Sequence, residues 1–207
     1  DLAMMGCGTG AVLEPKYINQ LPTIRNKITV KMRGMVGMTI ESQRREEAEI
    51  KVDAVNNRVE IIAGDSRQGW VKSYQTLLEL STDERFDSEV EAIVDLSDIR
   101  PAGERLKGFG GMANPVKLPT LYQRCADILN NAIGRQLNSI ECCLLIDEAA
   151  ACVVAGNIRR SAGMRQFDSN DTVATGAKEY LLQQDEAGNL RIDPTRDALR
   201  MANHTRV

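Results

Sequence analysis

Short β-like segments alternate with helix-like segments along most of the chain, and glycine-rich loops lie at several of the strand ends. GAVL near the start, KITVKM from Lys27 and VEAIVDLS from Val90 have the composition of strands. The stretch from Ser66 to Ser81 instead places its apolar residues on one helical face. Strands separated by helices are typical of an α/β layer with parallel pairing, so this alternation predicts an α/β fold.

Further elements follow from local patterns. EIKVDAV and RVEIIA are predicted to pair, because Asn56 and Asn57 suit a two-residue hairpin turn. The hairpins from Lys27 to Ala63 look like an insertion or side lobe. AGMRQF is predicted as a strand. One predicted helix begins at Asp65 or Ser66, and four others span about 118–133, 138–156, 175–184 and 195–203.

Composition limits the possible partners. The 207 residues carry a formal charge of -3, which gives no overall field that favours nucleic acid or an anionic membrane. No run approaches the roughly 20 apolar residues that span a bilayer. Five cysteines without a disulfide framework favour a reducing, cytoplasmic setting. Both ends look cut, and we expect a fragment of a larger protein.

The first candidate site is GCGTG, near the start of the chain. Successive glycines let the backbone approach a ligand and turn its amides toward an anion. The segment lacks both the dinucleotide-binding GxGxxG spacing and the lysine of a P-loop. A tight turn between helix and strand is the alternative interpretation.

The second candidate is the loop RLKGFGGMANP. Arg105 and Lys107 bracket glycines whose amides are available, and Phe109 offers a face on which a base can stack. This composition suits a nucleotide, although an ordinary connecting loop with solvated basic residues is equally compatible with it.

The third candidate is GNIRRSAG, which follows an apolar helix. Arg159 and Arg160 present planar forks that bind phosphate or stack on a base, and small residues keep the loop slim. The alternative is that both arginines only complement the negative helix C-terminus.

Cysteine and histidine chemistry is not indicated. There is no CxxC motif, and Cys142, Cys143 and Cys152 are expected to pack as small hydrophobic residues. His204 is placed in a terminal helix as a structural or surface residue, without partners for a catalytic triad. We expect no metal site.

Four segments together resemble the adenosylcobalamin-dependent ribonucleotide reductases of the monomeric ribonucleoside-triphosphate type. They are MMGCGTGAVLEPKY, GDSRQGWVKSYQTLLELS, VDLSDIRPAGERLKGFGGMANP and VVAGNIRRSAG. The resemblance implies part of a ten-stranded α/β barrel with an inserted β-hairpin and helix lobe. It divides the chain into a barrel segment at 1–18, an effector-site lobe at 19–90 and a second barrel segment at 91–207.

The resemblance also implies a function in deoxyribonucleotide synthesis. The full-length reductase would use adenosylcobalamin, a ribonucleoside triphosphate substrate, a deoxynucleoside triphosphate effector and a thioredoxin-type reductant, and would be a monomer. None of the five cysteines matches the family's radical or redox positions, so no catalytic residue is assigned. The lobe would stand in for the dimer partner at the effector site.

The implied site residues fall into three groups. Gly10 and Ala11 form the substrate segment, which lines the pocket for the substrate phosphate and ribose. The first specificity loop contacts the effector and comprises Gly108, Phe109, Gly110, Gly111, Met112 and Ala113. The second specificity loop reaches from the effector to the substrate base and comprises Gly156, Asn157, Ile158, Arg159, Arg160, Ser161, Ala162 and Gly163.

Two other functions remain open on the sequence. A free-standing nucleotide-binding regulatory module without catalysis fits the lack of catalytic cysteines and the single histidine. The second is a purely structural α/β domain, in which the arginines only cap helices.

Overall fold

The structure is a computed structural model that describes residues 2–5, 7–106, 111–153, 163–179 and 181–207. Short 3-10 helices lie at Leu2–Met5, Glu41–Gln43, Pro115–Lys117 and Asp197–Met201. The other elements, in chain order, are β1 (Thr9–Val12), α1 (Pro15–Ile18), β2 (Lys27–Gly34), β3 (Glu49–Asp53), β4 (Arg58–Ile62), α2 (Arg67–Leu80), β5 (Glu89–Asp95), α3 (Leu118–Asn130), α4 (Ser139–Val153), β6 (Gly163–Phe167), α5 (Thr172–Thr175), β7 (Leu182–Gln184), β8 (Leu190–Ile192) and β9 (Ala202–Arg206).

A four-stranded sheet has the order β2-β5-β4-β3. β5 pairs in parallel with both β2 and β4, as the alternation of elements predicts. Val90, Ala92 and Val94 are buried on one face of β5, because side chains two residues apart share a face. That face belongs to the hydrophobic cluster that also contains residues of α2 and α3.

The predicted hairpins of Lys27 to Ala63 need two corrections. Only β3 and β4 form a hairpin, since β2 pairs with β5 instead. The turn has four residues, 54–57, and only Asn57 adopts a positive φ, of 49°. The longer turn closes because the Asp53 carboxylate accepts hydrogen bonds from the Asn56 backbone N–H and side-chain amide.

Helix α2 begins as predicted. The Ser66 hydroxyl caps it by accepting a hydrogen bond from Gly69 N at 3.0 Å. A Cβ on Gly69 would lie 2.5 Å from the carbonyl oxygen of Gly64, so this first turn needs a glycine. Leu77 is fully buried, and the predicted apolar stripe packs on the main core.

Helix α4 lies between two hydrophobic clusters. Leu145 and Cys152 pack with the four-stranded sheet, whereas Cys143 and Leu144 pack with Phe167. A helix in contact with core on several sides is apolar around most of its circumference, which explains the nearly unbroken apolar sequence. Asn138 and Glu141 cap its start reciprocally, each side chain bonding the other residue's backbone N–H at 2.8 and 2.9 Å.

A second sheet has the order β1-β6-β9, and all three strands are parallel. β6 confirms the strand predicted for AGMRQF. β7 and β8 form a separate antiparallel pair.

Two predicted helices in the last third of the chain are wrong. The helix predicted at 175–184 is replaced by the short α5 and the hairpin of β7 and β8. This hairpin forms because Asp185 accepts hydrogen bonds from the backbone N–H groups of Ala187 and Asn189, and Gly188 adopts a φ of 83°. The helix predicted at 195–203 is a 3-10 helix that ends at Met201, because the chain then pairs with β6 as β9.

The architecture is mixed α/β with parallel sheets. The described residues form sheets of three, four and two strands, so the ten-stranded barrel is not visible in this chain. β5 crosses the predicted boundary at residue 90, which stays a prediction. Within the described ranges, every helix is too short or too polar to cross a membrane.

Candidate nucleotide-specificity region

The substrate segment lies beside the end of the second specificity loop. Gly10 and Ala11 are in β1, which pairs with β6 in the register Thr9 to Gly163 and Gly10 to Met164. Gly10 is exposed and Ala11 is partly buried. The sheet therefore brings together two groups of predicted site residues that are about 150 positions apart in the sequence.

The first specificity loop rises from a short antiparallel ladder. Leu106 N donates to the Gly111 carbonyl at 2.8 Å, and Ala113 N donates to the Glu104 carbonyl at 2.7 Å. Gly111 and Ala113 are buried, whereas the Met112 side chain is exposed. The remaining predicted residues of this loop, Gly108, Phe109 and Gly110, lie outside the described residues.

Ion pairs hold the base of this ladder. Arg100 donates from Nε to both carboxylate oxygens of Asp65, at 2.9 and 3.1 Å, and from its backbone N at 3.1 Å. Arg44 Nη1 donates to Glu104 at 2.7 Å and lies 3.9 Å from Asp65. The side chains of Arg44, Asp65 and Arg100 are 9%, 10% and 14% exposed.

This network links two of the sequence motifs that carry the family resemblance. Asp65 belongs to GDSRQGW, and Arg100 and Glu104 belong to RPAGERL. Bidentate and charge-assisted hydrogen bonds fix orientation as well as distance. The start of α2 and the base of the first loop are therefore held as one unit.

The second specificity loop is visible only at its end. Gly156, Asn157, Ile158, Arg159, Arg160, Ser161 and Ala162 lie outside the described residues. Gly163 opens β6, and a Cβ there would lie 3.0 Å from both the Ala202 Cβ and Arg165 Nη2. This close approach gives a packing reason for a glycine at the end of the loop.

A buried ion pair, which the sequence reasoning missed, lies under that glycine. Arg165 Nη2 donates to Asp147 Oδ1 at 2.7 Å, and both side chains are fully buried. Arg165 Nη1 donates to the Thr9 carbonyl at 3.0 Å. Burial raises the pKa of the Asp147 carboxyl, whereas Arg165 opposes that shift by favouring the carboxylate. The available signal was the presence of charged residues within apolar segments, Asp147 in CLLIDEAA and Arg165 in GMRQF.

The exit of the first loop approaches the C-terminal half of α4. A cleft of about 130 Å³ lies between them, lined by Lys117, Arg124, Glu148 and Cys152 among others. That volume is below the several hundred Å³ of typical ligand pockets. A cavity of about 550 Å³ opens elsewhere, near Leu13 and Ser139, and no predicted site residue lines it.

A family model for the insertion domain of B12-dependent ribonucleotide reductases matches residues 24–129. The chain belongs to the B12-dependent ribonucleotide reductase family. The matched range contains the Asp65, Arg100 and Glu104 network and the first specificity loop.

Similar curated proteins carry the corresponding name. An adenosylcobalamin-dependent ribonucleoside-triphosphate reductase of Lactobacillus delbrueckii subsp. bulgaricus is 33% identical over 181 residues, which cover 83% of this chain and 24% of that protein. A probable enzyme of the same name from Dictyostelium discoideum is 36% identical over 129 residues, covering 61% and 16%. The chain thus spans about a quarter of the length of the first of these relatives.

A solved structure has a similar fold. The crystal structure of a B-12 dependent (class II) ribonucleotide reductase aligns with a TM-score of 0.73 at 23% identity, covering 98% of this chain and 27% of that one. This likeness supports the arrangement of helices and sheets described above.

The cysteines of this ribonucleotide reductase segment pack as predicted. Cys125, Cys142, Cys143 and Cys152 are buried, whereas Cys7 is exposed. Burial raises the pKa of Cys142 to about 11 and of Cys152 to about 12. Buried thiols with raised pKa values are poor nucleophiles.

His204 lies in β9 rather than in the predicted helix, and its ring contacts Phe167 with 5.0 Å between ring centroids. Cys143, Asp147 and His204 have potential ligand atoms within 4.8 Å of one another. Asp147 is already bound to Arg165, and the Lys178 ammonium lowers the pKa of His204 further, after burial, to about 4. These positive charges disfavour a cation at the cluster.

Among the described residues, none presents an imidazole to the cobalt of a cobalamin. His204 is the single histidine of the chain, and it is packed against Phe167 and Cys143 rather than presented to a ligand. No step of the chemistry is therefore assigned to adenosylcobalamin through this segment.

Proposed function

We propose that this segment carries the effector-dependent substrate specificity of an adenosylcobalamin-dependent ribonucleoside-triphosphate reductase. The substrate is a ribonucleoside triphosphate, the effector is a deoxynucleoside triphosphate, and the reductant is a thioredoxin-type dithiol. The full-length reductase is a monomer in this proposal, and the sheet of β1, β6 and β9 is part of its ten-stranded barrel.

One observation carries the proposal. The substrate segment, Gly10 and Ala11, lies in a strand whose parallel neighbour begins at Gly163, the last residue of the second specificity loop. A change in that loop can therefore reach the substrate segment through directly paired backbone. Coupling free energies between two ligand sites are typically about 1 to 3 kcal/mol, which is enough to change substrate preference by about 5- to 150-fold.

The first specificity loop supports the same function from the effector side. Its base is fixed by Asp65, Arg100 and Glu104, and the exposed side chains of Arg105 and Met112 flank the part of the loop that would meet the effector. A rigid base with exposed residues above it is the usual arrangement of a binding loop. The lobe at 19–90 completes the effector site in this proposal.

The segment binds and orients nucleotides but holds none of the reacting groups. Four of its cysteines are buried with raised pKa values, and no pair is placed for thiol exchange among the described residues. The radical and reducing cysteines are assigned to other parts of the reductase.

Calorimetric titration of the full-length reductase with each deoxynucleoside triphosphate tests effector binding. Arg105→Ala should weaken effector affinity about fivefold, the worth of one exposed charge-assisted contact of about 1 kcal/mol. Arg191→Ala is the matched control, because the Arg191 side chain is 75% exposed on β8 and pairs with Asp185 in the turn of the same hairpin. Absence of binding heat in the wild-type reductase would refute the proposed function.

A further inference from the structure

Arg165 joins three elements around the substrate segment. It lies in β6, its Nη2 group binds Asp147 of α4, and its Nη1 group binds the carbonyl of Thr9, the first residue of β1. Arg165 is among the largest fully buried side chains of the described residues. The guanidinium therefore fixes the start of the substrate strand to a core helix.

Cohesion alone does not explain a charged pair at this place. Replacing a buried ion pair with apolar residues of similar volume is often neutral or stabilising, because both charges lose their hydration when they are buried. A guanidinium offers what an apolar side chain lacks, namely donors in fixed directions toward two different oxygens. The geometry therefore indicates that the pair of Arg165 and Asp147 orients the strand rather than stabilising the packing of β6 on α4.

The position in the chain strengthens this argument. α4 ends where the stretch toward the second specificity loop begins, and Arg165 follows Gly163 by two residues on the same face of β6. The pair of Asp147 and Arg165 therefore bridges the two elements that flank that loop. The same guanidinium then holds the first carbonyl of β1.

We propose that Arg165 is a positioning residue for the substrate, acting through Thr9 to hold Gly10 and Ala11 at a fixed place relative to α4. The inference rests on the proposed function, in which Gly10 and Ala11 line the substrate pocket. Asp147 orients the Arg165 guanidinium and is the second residue of this positioning pair.

The test uses the full-length reductase with Arg165→Met and Asp147→Leu combined. This apolar pair leaves neither Arg165 nor Asp147 as an unpaired buried charge, and it removes the donor to Thr9. The KM for the ribonucleotide should rise about tenfold at saturating effector, with kcat changed less than about threefold. A tenfold change corresponds to about 1.4 kcal/mol. Amide hydrogen exchange in residues 9–12 should become faster by a similar factor.

A merely structural role predicts another pattern, because partial unfolding lowers the amount of active enzyme and leaves KM unchanged. The matched control is Arg124→Met with Glu148→Leu. Glu148 follows Asp147 on the same helix, and its partner Arg124 donates to the Pro194 carbonyl rather than to β1. This control should leave both KM and exchange in residues 9–12 at wild-type values.

Arg165→Lys is the second variant and covers the case in which the apolar pair fails to fold. Lysine keeps the charge opposite Asp147 but has no second arm for Thr9, so KM should rise about threefold with faster exchange in residues 9–12. Wild-type KM and exchange in the folded variants would overturn the inference. Faster exchange with wild-type KM would also overturn it, by separating Gly10 and Ala11 from the substrate. Effector binding in the Arg105 titration is independent of either result.

Discussion

Substitution of Asp65 by asparagine should destabilise the protein through the base of the first specificity loop. Its carboxylate is 10% exposed, accepts three hydrogen bonds from Arg100 and lies 3.9 Å from Arg44. The amide keeps the shape but leaves two poorly hydrated guanidinium groups without that negative charge. Breaking a fully buried pair costs about 3 to 5 kcal/mol, and the residual exposure here reduces the expected loss to about 2 to 3 kcal/mol.

Urea denaturation followed by tryptophan fluorescence measures this loss. Trp70 is the single tryptophan of these 207 residues, and it lies in the first turns of α2, five positions after the substituted site. Glu84→Gln is the control. The side chains of Glu84 and its ion-pair partner Arg25 are both exposed, so the pair should contribute at most about 0.5 kcal/mol to the free energy of unfolding. A loss below about 0.5 kcal/mol for Asp65→Asn would refute the argument that this network fixes the loop.

Three further outcomes are expected. Gly64→Ala should lower the free energy of unfolding by about 2 kcal/mol or more in urea denaturation, because its Cβ would lie 2.3 to 2.6 Å from backbone atoms. Gly176→Ala, whose Cβ would have neighbours no closer than 3.6 Å, should stay within about 0.5 kcal/mol of wild type, and equal losses in the two variants would contradict this. Burial depresses the pKa of His204 from 6.5 to about 4, so its contribution to the free energy of unfolding is complete above pH 6.5 and is lost as pH falls toward 4. The free energy of unfolding of His204→Gln should therefore depend less on pH in that window than that of wild type, and an unchanged pH profile would count against this reasoning. A thiol reagent applied to the native full-length reductase, with the labelled peptides identified by mass spectrometry, should label Cys7 rapidly, and rapid labelling of Cys125, Cys142, Cys143 or Cys152 would disagree with their burial.

The sequence predicted the elements whose local signals agree with their tertiary surroundings. Ser66 caps α2 and Asn138 begins α4, since each cap is formed by residues close in the chain. Parallel pairing also followed from the alternation of strands and helices. These features depend on short-range hydrogen bonding and on the hydrophobic period.

Two of the errors lie where distant partners decide the structure, and a third lies in a weakly periodic segment. The residues after Met201 pair with β6, which no local signal around His204 indicates. The hairpin of β7 and β8 was predicted as a helix because polar, weakly periodic residues do not distinguish the two. β2 likewise pairs with β5 rather than with its neighbour in sequence.

The candidate site shows the same division. Glycine and arginine motifs indicated loops that could meet a nucleotide, and resemblance assigned their roles. The pairing of Asp65 with Arg100, and of Asp147 with Arg165, joins residues 35 and 18 positions apart. Charge and composition alone do not select those partners.

Substrate preference across effectors tests the central claim most directly. The full-length reductase would be assayed with all ribonucleoside triphosphates present together and one deoxynucleoside triphosphate at a time, in wild type and in Arg159→Ala with Arg160→Ala. The control, Arg191→Ala with Arg200→Ala, removes the same charge from exposed positions in the last third of the chain. We expect the loop variant to reduce the same mixture of ribonucleoside triphosphates whichever effector is bound. The control variant should change its substrate preference with the effector as wild type does. A loop variant that still changes its preferred base with each effector would contradict the account.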